Sequence, residues 1–73
     1  MKTITIEQLI EFTQWYFRTF RCDETNKVYF IISMEGYLHI GASQAKSCFA
    51  ICKEEKLISC RKDIVRKGEG ANG

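Results

Sequence analysis

The chain has 73 residues, of which 45% are hydrophobic and 27% charged, and its formal net charge is +2. This length allows one domain with one core, and the composition is that of a folded globular protein rather than a disordered one. No apolar run approaches the ~20 residues that span a bilayer, and the N-terminal residues lack the apolar core of a signal peptide. We therefore expect a cytoplasmic protein without a membrane segment.

Basic residues are concentrated in the second part of the chain. Residues 1–26 hold three basic and four acidic residues, whereas residues 27–73 hold eight basic and five acidic ones. A protein that faces a polyanion with one side has this kind of distribution, and so does a protein with an ordinary solvated charged surface. The charge by itself leaves both interpretations open.

The first predicted element is a helix that begins at Thr5, with Gln8 three positions on as its capping-box partner. Apolar spacing predicts a core face on this helix, made of Leu9, Ile10, Thr13, Phe17 and Phe20. Three further aromatic residues, Phe12, Trp15 and Tyr16, widen that face. We expect them to belong to the core, with a contact to a partner protein or a second copy of the chain as the alternative.

The middle of the chain is predicted to hold a loop, a strand and a short helix. Residues 21–27 are polar and predict the loop, and the β-branched and aromatic run 28–32 predicts the strand. The short helix is capped by Ser33, and Gly36 within it predicts close packing of a neighbouring helix. It ends at Gly41, where we expect the left-handed conformation that glycine adopts without strain.

A second helix follows the Gly41 turn. Ser43 has the side-chain oxygen of an N-cap residue, and the helix runs from there to about Lys56. A helix, a tight turn and a capped helix form a helix-turn-helix unit, whose second helix enters the DNA major groove.

The last predicted element is a β-hairpin. Two short apolar runs, residues 57–60 and 64–66, flank the charged turn 61–63. Residues 68–73 carry no core side chain, and we expect a disordered tail there. The predicted fold is a compact α+β domain over residues 1–67, with three helices, a helix-turn-helix and a small hairpin wing.

From Tyr29 to about Lys62 the chain resembles small helix-turn-helix proteins of bacterial mobile elements, of the excisionase and transposon-accessory kind. The resembling segments are the aromatic run 28–30, the turn 40–43, the helix 45–53, the exit 56–58 and the basic pair 61–62. The resemblance implies a winged helix-turn-helix that binds double-stranded DNA, as a regulator of transcription or an accessory factor of recombination.

Two features of the second helix depart from that family pattern. Ser47 and Ala50 are small where the family usually has core residues. Cys48, Phe49 and Cys52 lie near faces that are often polar in such proteins. The sequence therefore leaves undecided which face of this helix is exposed.

Eight polar residues are the candidates for contacts to DNA. They are Gln44, Lys46, Ser47 and Lys53 in the second helix and Arg61, Lys62, Arg66 and Lys67 in the hairpin. Glutamine and lysine early in a recognition helix can pair with adenine and guanine edges, and the hairpin residues suit phosphates or a minor groove. The alternative for each is a solvated side chain.

A metal site has weaker support. Cys48 and Cys52 lie four residues apart on one helix face, and Cys60 with His39 would complete a tetrahedral set. The spacing lacks the Cys-x-x-Cys pairs typical of zinc proteins, and free cysteine often serves as a small buried apolar residue. We expect all four cysteines, Cys22 included, to be reduced and metal-free, and we predict no cofactor.

No pattern of catalytic residues stands out, and we expect that the protein is not an enzyme. His39 is the single histidine, and no glycine-rich phosphate loop is present. The alternative to DNA binding is a small protein-interaction module, for example a phage-encoded inhibitor, that uses Phe12, Trp15 and Tyr16.

Overall fold

The computed structural model describes residues 2–72, with side chains for residues 2–70. This part of the chain folds into three α-helices, three strands and one 3-10 helix. In chain order they are α1 (Ile6–Thr19), β1 (Glu24–Asn26), α2 (Lys27–Leu38), α3 (Ala42–Glu54), β2 (Ile58–Arg61), β3 (Ile64–Lys67) and the 3-10 helix (Glu69–Asn72). The predicted class, a compact α+β domain, is confirmed at this level.

The three strands form one antiparallel sheet in the order β1-β3-β2. The last strand of the chain is thus the central one, and it joins the short β1 to the hairpin. Its side chains alternate, so that Val65 is fully buried while Ile64 and Arg66 are exposed. Val65 stands between Thr25 on one side and Cys60 on the other.

Helix α1 begins as the sequence predicts. The Thr5 hydroxyl oxygen accepts from the Gln8 amide at 3.2 Å, and the Gln8 side-chain oxygen accepts from the Thr5 amide at 2.8 Å. The buried residues of the helix are Leu9, Phe12, Thr13, Tyr16 and Phe17. The prediction that Phe20 belongs to the core face of this helix is wrong. Its side chain is 54% exposed because the helix ends one residue before it.

The centre of the core is Phe30, which is fully buried. Its ring centroid lies 5.1 Å from those of Phe12 and Tyr16 and 6.0 Å from that of Phe49. One aromatic ring on α2 therefore holds α1 and α3 together. Burying such rings supplies a large share of the stability of a domain this small.

The strand predicted over residues 28–32 is wrong, because this segment is the first part of α2. Asn26 caps the helix by accepting from the Val28 amide at 2.8 Å, and Ser33 lies inside the helix rather than at its start. Phe30, Met34 and Leu38 follow one another at four-residue spacing and are all buried. This helical spacing of core residues outweighs the β-propensity of the run, which is a weak and context-dependent preference.

The strand β1 lies instead in the polar segment predicted to be a loop. Residues Glu24–Asn26 pair with β3, with Thr25 opposite Val65. These three side chains show no alternation of apolar and polar residues. The segment is a strand because its backbone pairs with β3.

The turn between α2 and α3 differs from the prediction at both of its key residues. The left-handed residue is His39, with φ 55° and ψ 51°, and Gly41 is extended at φ −79°. The Ile40 amide donates to the Glu35 carbonyl oxygen at 3.1 Å, and the Ile40 side chain is buried. Histidine is among the residues that tolerate the left-handed region, so glycine is not required there.

Two further predictions about this region are wrong. Gly41 rather than Ser43 is the N-cap residue of α3, and no side-chain hydrogen bond caps the helix. A Cβ atom built on Gly36 would have no neighbour within 4 Å, so this glycine is open to solvent and packs against no helix.

The hairpin prediction is confirmed, and the chain end differs from its prediction. β2 and β3 pair with Arg61 opposite Ile64, which leaves a two-residue turn. The Gly68 and Gly70 amides donate to the Leu57 and Lys56 carbonyl oxygens at 2.8 and 2.9 Å. The 3-10 helix that follows lies where the sequence predicts a disordered tail, and Gly73, part of the same prediction, lies outside the described residues.

Candidate nucleic-acid interface

The two faces of α3 are chemically distinct. Its inner face consists of Ala45, Cys48, Phe49 and Cys52, which are buried at the i, i+3, i+4, i+7 spacing of a core stripe. The outer face carries Ser43, Ser47 and Ala50, which are exposed. This settles which face of the helix is exposed, but both departures from the family pattern remain, because the cysteines and Phe49 fill core positions while Ser47 and Ala50 face solvent.

Two lysines lie along one edge of the outer face. Lys46 and Lys53 are both exposed and seven residues apart, which places them two turns apart on nearly the same side of the helix. The Lys53 ammonium lies 5.7 Å from the ring centroid of Phe49. Both nitrogens reach solvent beside a surface of small side chains, which allows another backbone to approach closely.

Gln44 occupies a different position from Lys46 and Ser47. Its side chain is half-buried, and its amide nitrogen donates to the backbone carbonyl oxygen of Lys2. The Lys2 ammonium in turn donates to the Leu38 carbonyl oxygen at 2.8 Å. The Gln44 side chain therefore links the N-terminal segment to the start of α3. Because it makes this hydrogen bond, the side chain does not lie on the outer face of the helix.

The hairpin turn is anchored to the start of α2. The Lys27 amide donates to the Asp63 carbonyl oxygen at 2.7 Å, so the turn is tied to the body of the domain. Lys62 adopts the left-handed conformation at φ 58°. Its side chain and that of Arg61 are exposed at this end of the sheet. Two cations are thus presented on a short, fixed hairpin.

Arg66 is already engaged within the protein. Its guanidinium contacts the Glu24 carboxylate at 2.9 and 3.0 Å, across the β1–β3 pair. Both side chains are more than half exposed, so the ion pair contributes little stability. It does neutralise Arg66, which makes this arginine the least available of the hairpin cations for a phosphate.

Lys67 and Lys53 line one recess between the end of α3 and the hairpin. Lys56 also lines it, together with Glu69 as its single acidic residue. Sequence reasoning missed Lys56 as a site candidate. Its position directly after the helix and before β2 was the available signal. Among the described side chains, no ion pair engages Lys53, Lys56 or Lys67.

The cysteines form no recognisable metal site. Within the part of the chain that the structure describes, no group of three or more cysteine, histidine or acidic residues is placed to hold an ion. Burial raises the pKa of the Cys48 thiol, and burial together with the neighbouring Cys48 raises the pKa of Cys52 to about 12. Both thiols are therefore protonated at neutral pH and act as small core side chains.

The three aromatic residues of α1 divide between the core and the surface. Phe12 and Tyr16 are buried, and the Tyr16 hydroxyl shares a 2.7 Å hydrogen bond with the Thr25 hydroxyl. Trp15 is half-buried, and its ring centroid lies 4.8 Å from that of Tyr37. Of the three, Trp15 alone keeps surface that a partner protein can reach.

Comparison of the chain with protein-family models, with curated proteins and with solved structures finds no match. Within residues 2–72, no helix combines the length and apolar character that crossing a membrane requires.

Proposed function

We propose that this protein binds double-stranded DNA as a winged helix-turn-helix domain. In this proposal α2 and α3 form the helix-turn-helix, and the outer face of α3 enters the major groove. The β2–β3 hairpin is the wing, and its cations contact the phosphate backbone.

The observation that carries the proposal is the outer face of α3. The helix that follows the turn presents two serines, two alanines, two lysines, Ile51 and Glu54 to solvent, while its cysteines and phenylalanine are buried. Small side chains allow the helix to sit deep in a groove, and Lys46 near its start can reach a guanine edge. The element order of helix, strand, two helices and hairpin agrees with the order that the sequence predicts, with the strand displaced to Glu24–Asn26.

Electrostatics give additional support. The recess beside the hairpin is lined by Lys53, Lys56 and Lys67. The hairpin itself carries two more cations, Arg61 in β2 and Lys62 in the turn. No ion pair among the described side chains neutralises these five cations. Unpaired cations suit a polyanion, because each phosphate contact releases condensed counterions from DNA.

The proposal includes a role and a location. We place the protein in the cytoplasm, as a transcriptional regulator or recombination accessory factor of a phage or mobile element, and assign it no catalytic step. A protein-interaction module built on Phe12, Trp15 and Tyr16 is disfavoured as the alternative, because two of those side chains are enclosed in the core.

Binding-site selection from a random duplex pool, followed by fluorescence anisotropy, tests the proposal. Lys46→Ala should weaken binding to the selected site roughly ten-fold more than binding to a random duplex, as expected for the loss of one base contact. Arg18→Ala on α1 is the matched control, since it removes one exposed cation and should leave that ratio unchanged. Failure to bind any duplex at low salt would refute the proposal.

A further inference from the structure

The strand β2 forms one edge of the sheet, and its outer side meets no other strand among the described residues. In an antiparallel ladder, successive residues direct their backbone groups alternately towards the neighbouring strand and away from it. The Gly68 amide donates to the Leu57 carbonyl oxygen at 2.8 Å, which fixes this alternation for the hairpin. Ser59 and Arg61 therefore bond to β3, whereas the amide and carbonyl groups of Cys60 point outward.

The outward backbone groups of Cys60 are open to pairing. Among the described residues, no backbone hydrogen bond outside the β2–β3 ladder engages them. The Cys60 side chain is half-buried, and its thiol donates to the Lys62 carbonyl oxygen at 3.4 Å. An unpaired strand edge is a template for one more strand, and an extended peptide that pairs there gains main-chain hydrogen bonds.

Two recesses flank this edge, and Ser59 and Cys60 line both of them. The first recess lies between β2 and the end of α3. Its cations are Lys53, Lys56 and Lys67, none of which has an ion-pair partner among the described side chains. An acidic side chain that enters this recess from the edge of the sheet is therefore matched in charge.

The second recess lies over the outer face of the sheet and has a different character. Arg66 is held there by the Glu24 carboxylate at 2.9 Å, and Ile64 is 41% exposed. Arg61 and Lys62 lie at the end nearest the hairpin turn. An apolar side chain placed over Ile64 removes apolar surface of both residues from water.

We infer that the β2 edge binds an extended segment of a partner protein in which acidic and apolar residues alternate, added antiparallel to β2. The side chains of a strand alternate between the two faces of a sheet, so the acidic residues enter the lysine recess and the apolar ones lie over Ile64. Paired residues of an antiparallel ladder lie on the same face, so an acidic residue pairs with Cys60 and exchanges both hydrogen bonds with it. This inference goes beyond the proposed DNA binding and does not depend on it.

The charges of the edge favour such a partner over a second copy of the chain. A two-fold pair of β2 strands would bring the cations of both copies to one edge, and like charges in contact are destabilising. The strand itself, Ile58–Arg61, has no acidic residue that could offset this repulsion. A segment that carries its own carboxylates removes the repulsion.

A synthetic peptide of three Glu-Val repeats, acetylated and amidated, is the probe for this edge. Isothermal titration calorimetry with the full chain should give a dissociation constant on the order of 100 µM. The rearranged peptide Glu-Glu-Glu-Val-Val-Val has the same composition and charge but cannot place its acidic residues on one face of a strand. It should bind at least about ten-fold more weakly. Equal binding of the two peptides would reduce the edge to a general anion site and overturn the inference.

Methylation of the peptide amides tests the pairing itself. Methyl groups on the three glutamate amides remove the donors that face β2 and should weaken binding about ten-fold or more. Methyl groups on the three valine amides, which point away from β2, should change the dissociation constant less than about three-fold. Equal losses for the two methylated peptides, or a larger loss for the valine set, would contradict the antiparallel pairing.

A pair of double variants tests the lysine recess. Lys53→Gln/Lys67→Gln should weaken binding of the Glu-Val peptide about five- to ten-fold, because two carboxylates lose their nearest cations. Arg18→Gln/Arg21→Gln removes two exposed cations outside both recesses and should change it less than about two-fold. Similar losses in both double variants would mean that net charge alone attracts the peptide, and the assigned recess would be wrong.

Amide hydrogen exchange, followed by nuclear magnetic resonance, locates the added strand. Saturating Glu-Val peptide should slow exchange of the outward Cys60 amide about ten-fold, whereas the Ser59 amide, already bonded to β3, should change little. An unchanged Cys60 amide would overturn the inference. So would protection of this amide in the peptide-free protein on concentration to about 1 mM, because the edge would then be occupied by a second copy of the chain.

Discussion

The inner and outer faces of α3 are under different physical constraints, although residues of both faces alternate along the same 13-residue helix. The inner face meets α2 and the aromatic core, where the shape of each side chain is fixed by its neighbours. The outer face meets solvent, where its serine, alanine and lysine side chains are exposed. Packing therefore constrains the residues on one side of this helix far more than those on the other.

The largest effect should follow from removing the inner aromatic ring. Phe49 is 4% exposed and its ring packs edge-on against Phe30, so Phe49→Ala should lower the free energy of unfolding by about 3–5 kcal/mol. Urea denaturation followed by circular dichroism measures this loss. Lys46→Ala on the outer face should change the same quantity by no more than about 0.5 kcal/mol. Similar losses for both variants would contradict the division of the helix.

Two alanines allow the same substitution on each face. Ala45 is fully buried and Ala50 is exposed. Ala45→Leu should lower the free energy of unfolding by about 1–3 kcal/mol because the packed core has no room for the added carbons. Ala50→Leu should leave it nearly unchanged but obstruct the close approach of DNA. The two faces would be wrongly assigned if Ala50→Leu were the more destabilising of the pair.

A smaller effect concerns pH and the buried Cys52 thiol. Its pKa rises from 9.0 to about 12 on folding because burial disfavours the thiolate. The resulting stabilisation is complete below pH 9 and is lost as the pH rises towards about 12, because the unfolded chain releases this proton first. Between pH 8 and pH 10 the wild type should lose about 1 kcal/mol more unfolding free energy than Cys52→Ala.

Parallel pH profiles of these two proteins, measured by urea denaturation, check that difference. Other groups that titrate in this range are common to both, so they cancel in the comparison. Superimposable profiles would mean that the Cys52 thiol is accessible to water and that the inner face is looser than described.

The sequence predicts those elements whose formation depends on residues close to one another in the chain. The Thr5–Gln8 capping box and the β2–β3 hairpin depend on residues close together in the chain, and both are present, although the turn has two residues where the sequence predicts the three residues 61–63. The chain order of α3 and the hairpin also follows from local patterns. The sequence predicts only the second half of α2, because the β-branched run in its first half hid the four-residue spacing of Phe30, Met34 and Leu38.

Other features depend on contacts that local patterns do not reveal. The β1 strand exists because β3 pairs with it, and the left-handed turn residue is His39 because Ile40 must enter the core. The eight candidate residues were placed on the right elements, yet Gln44 is bound to Lys2 and Arg66 to Glu24. The sequence leaves the exposed face of α3 undecided, although the tendency of free cysteine to be buried was an available signal for its inner face.

The salt dependence of duplex binding tests the proposed DNA interface most directly. Anisotropy titrations between about 50 and 200 mM salt should give a log–log slope that falls by about 1.8 in Arg61→Gln/Lys62→Gln, or about 0.9 per phosphate contact. The matched control is Arg18→Gln/Arg21→Gln, which also removes two exposed positive charges. Arg21 matches Lys62 in backbone conformation, because both residues are left-handed. The account predicts an unchanged slope for that control. Equal reductions in both double variants, or no binding at 50 mM salt, would contradict it.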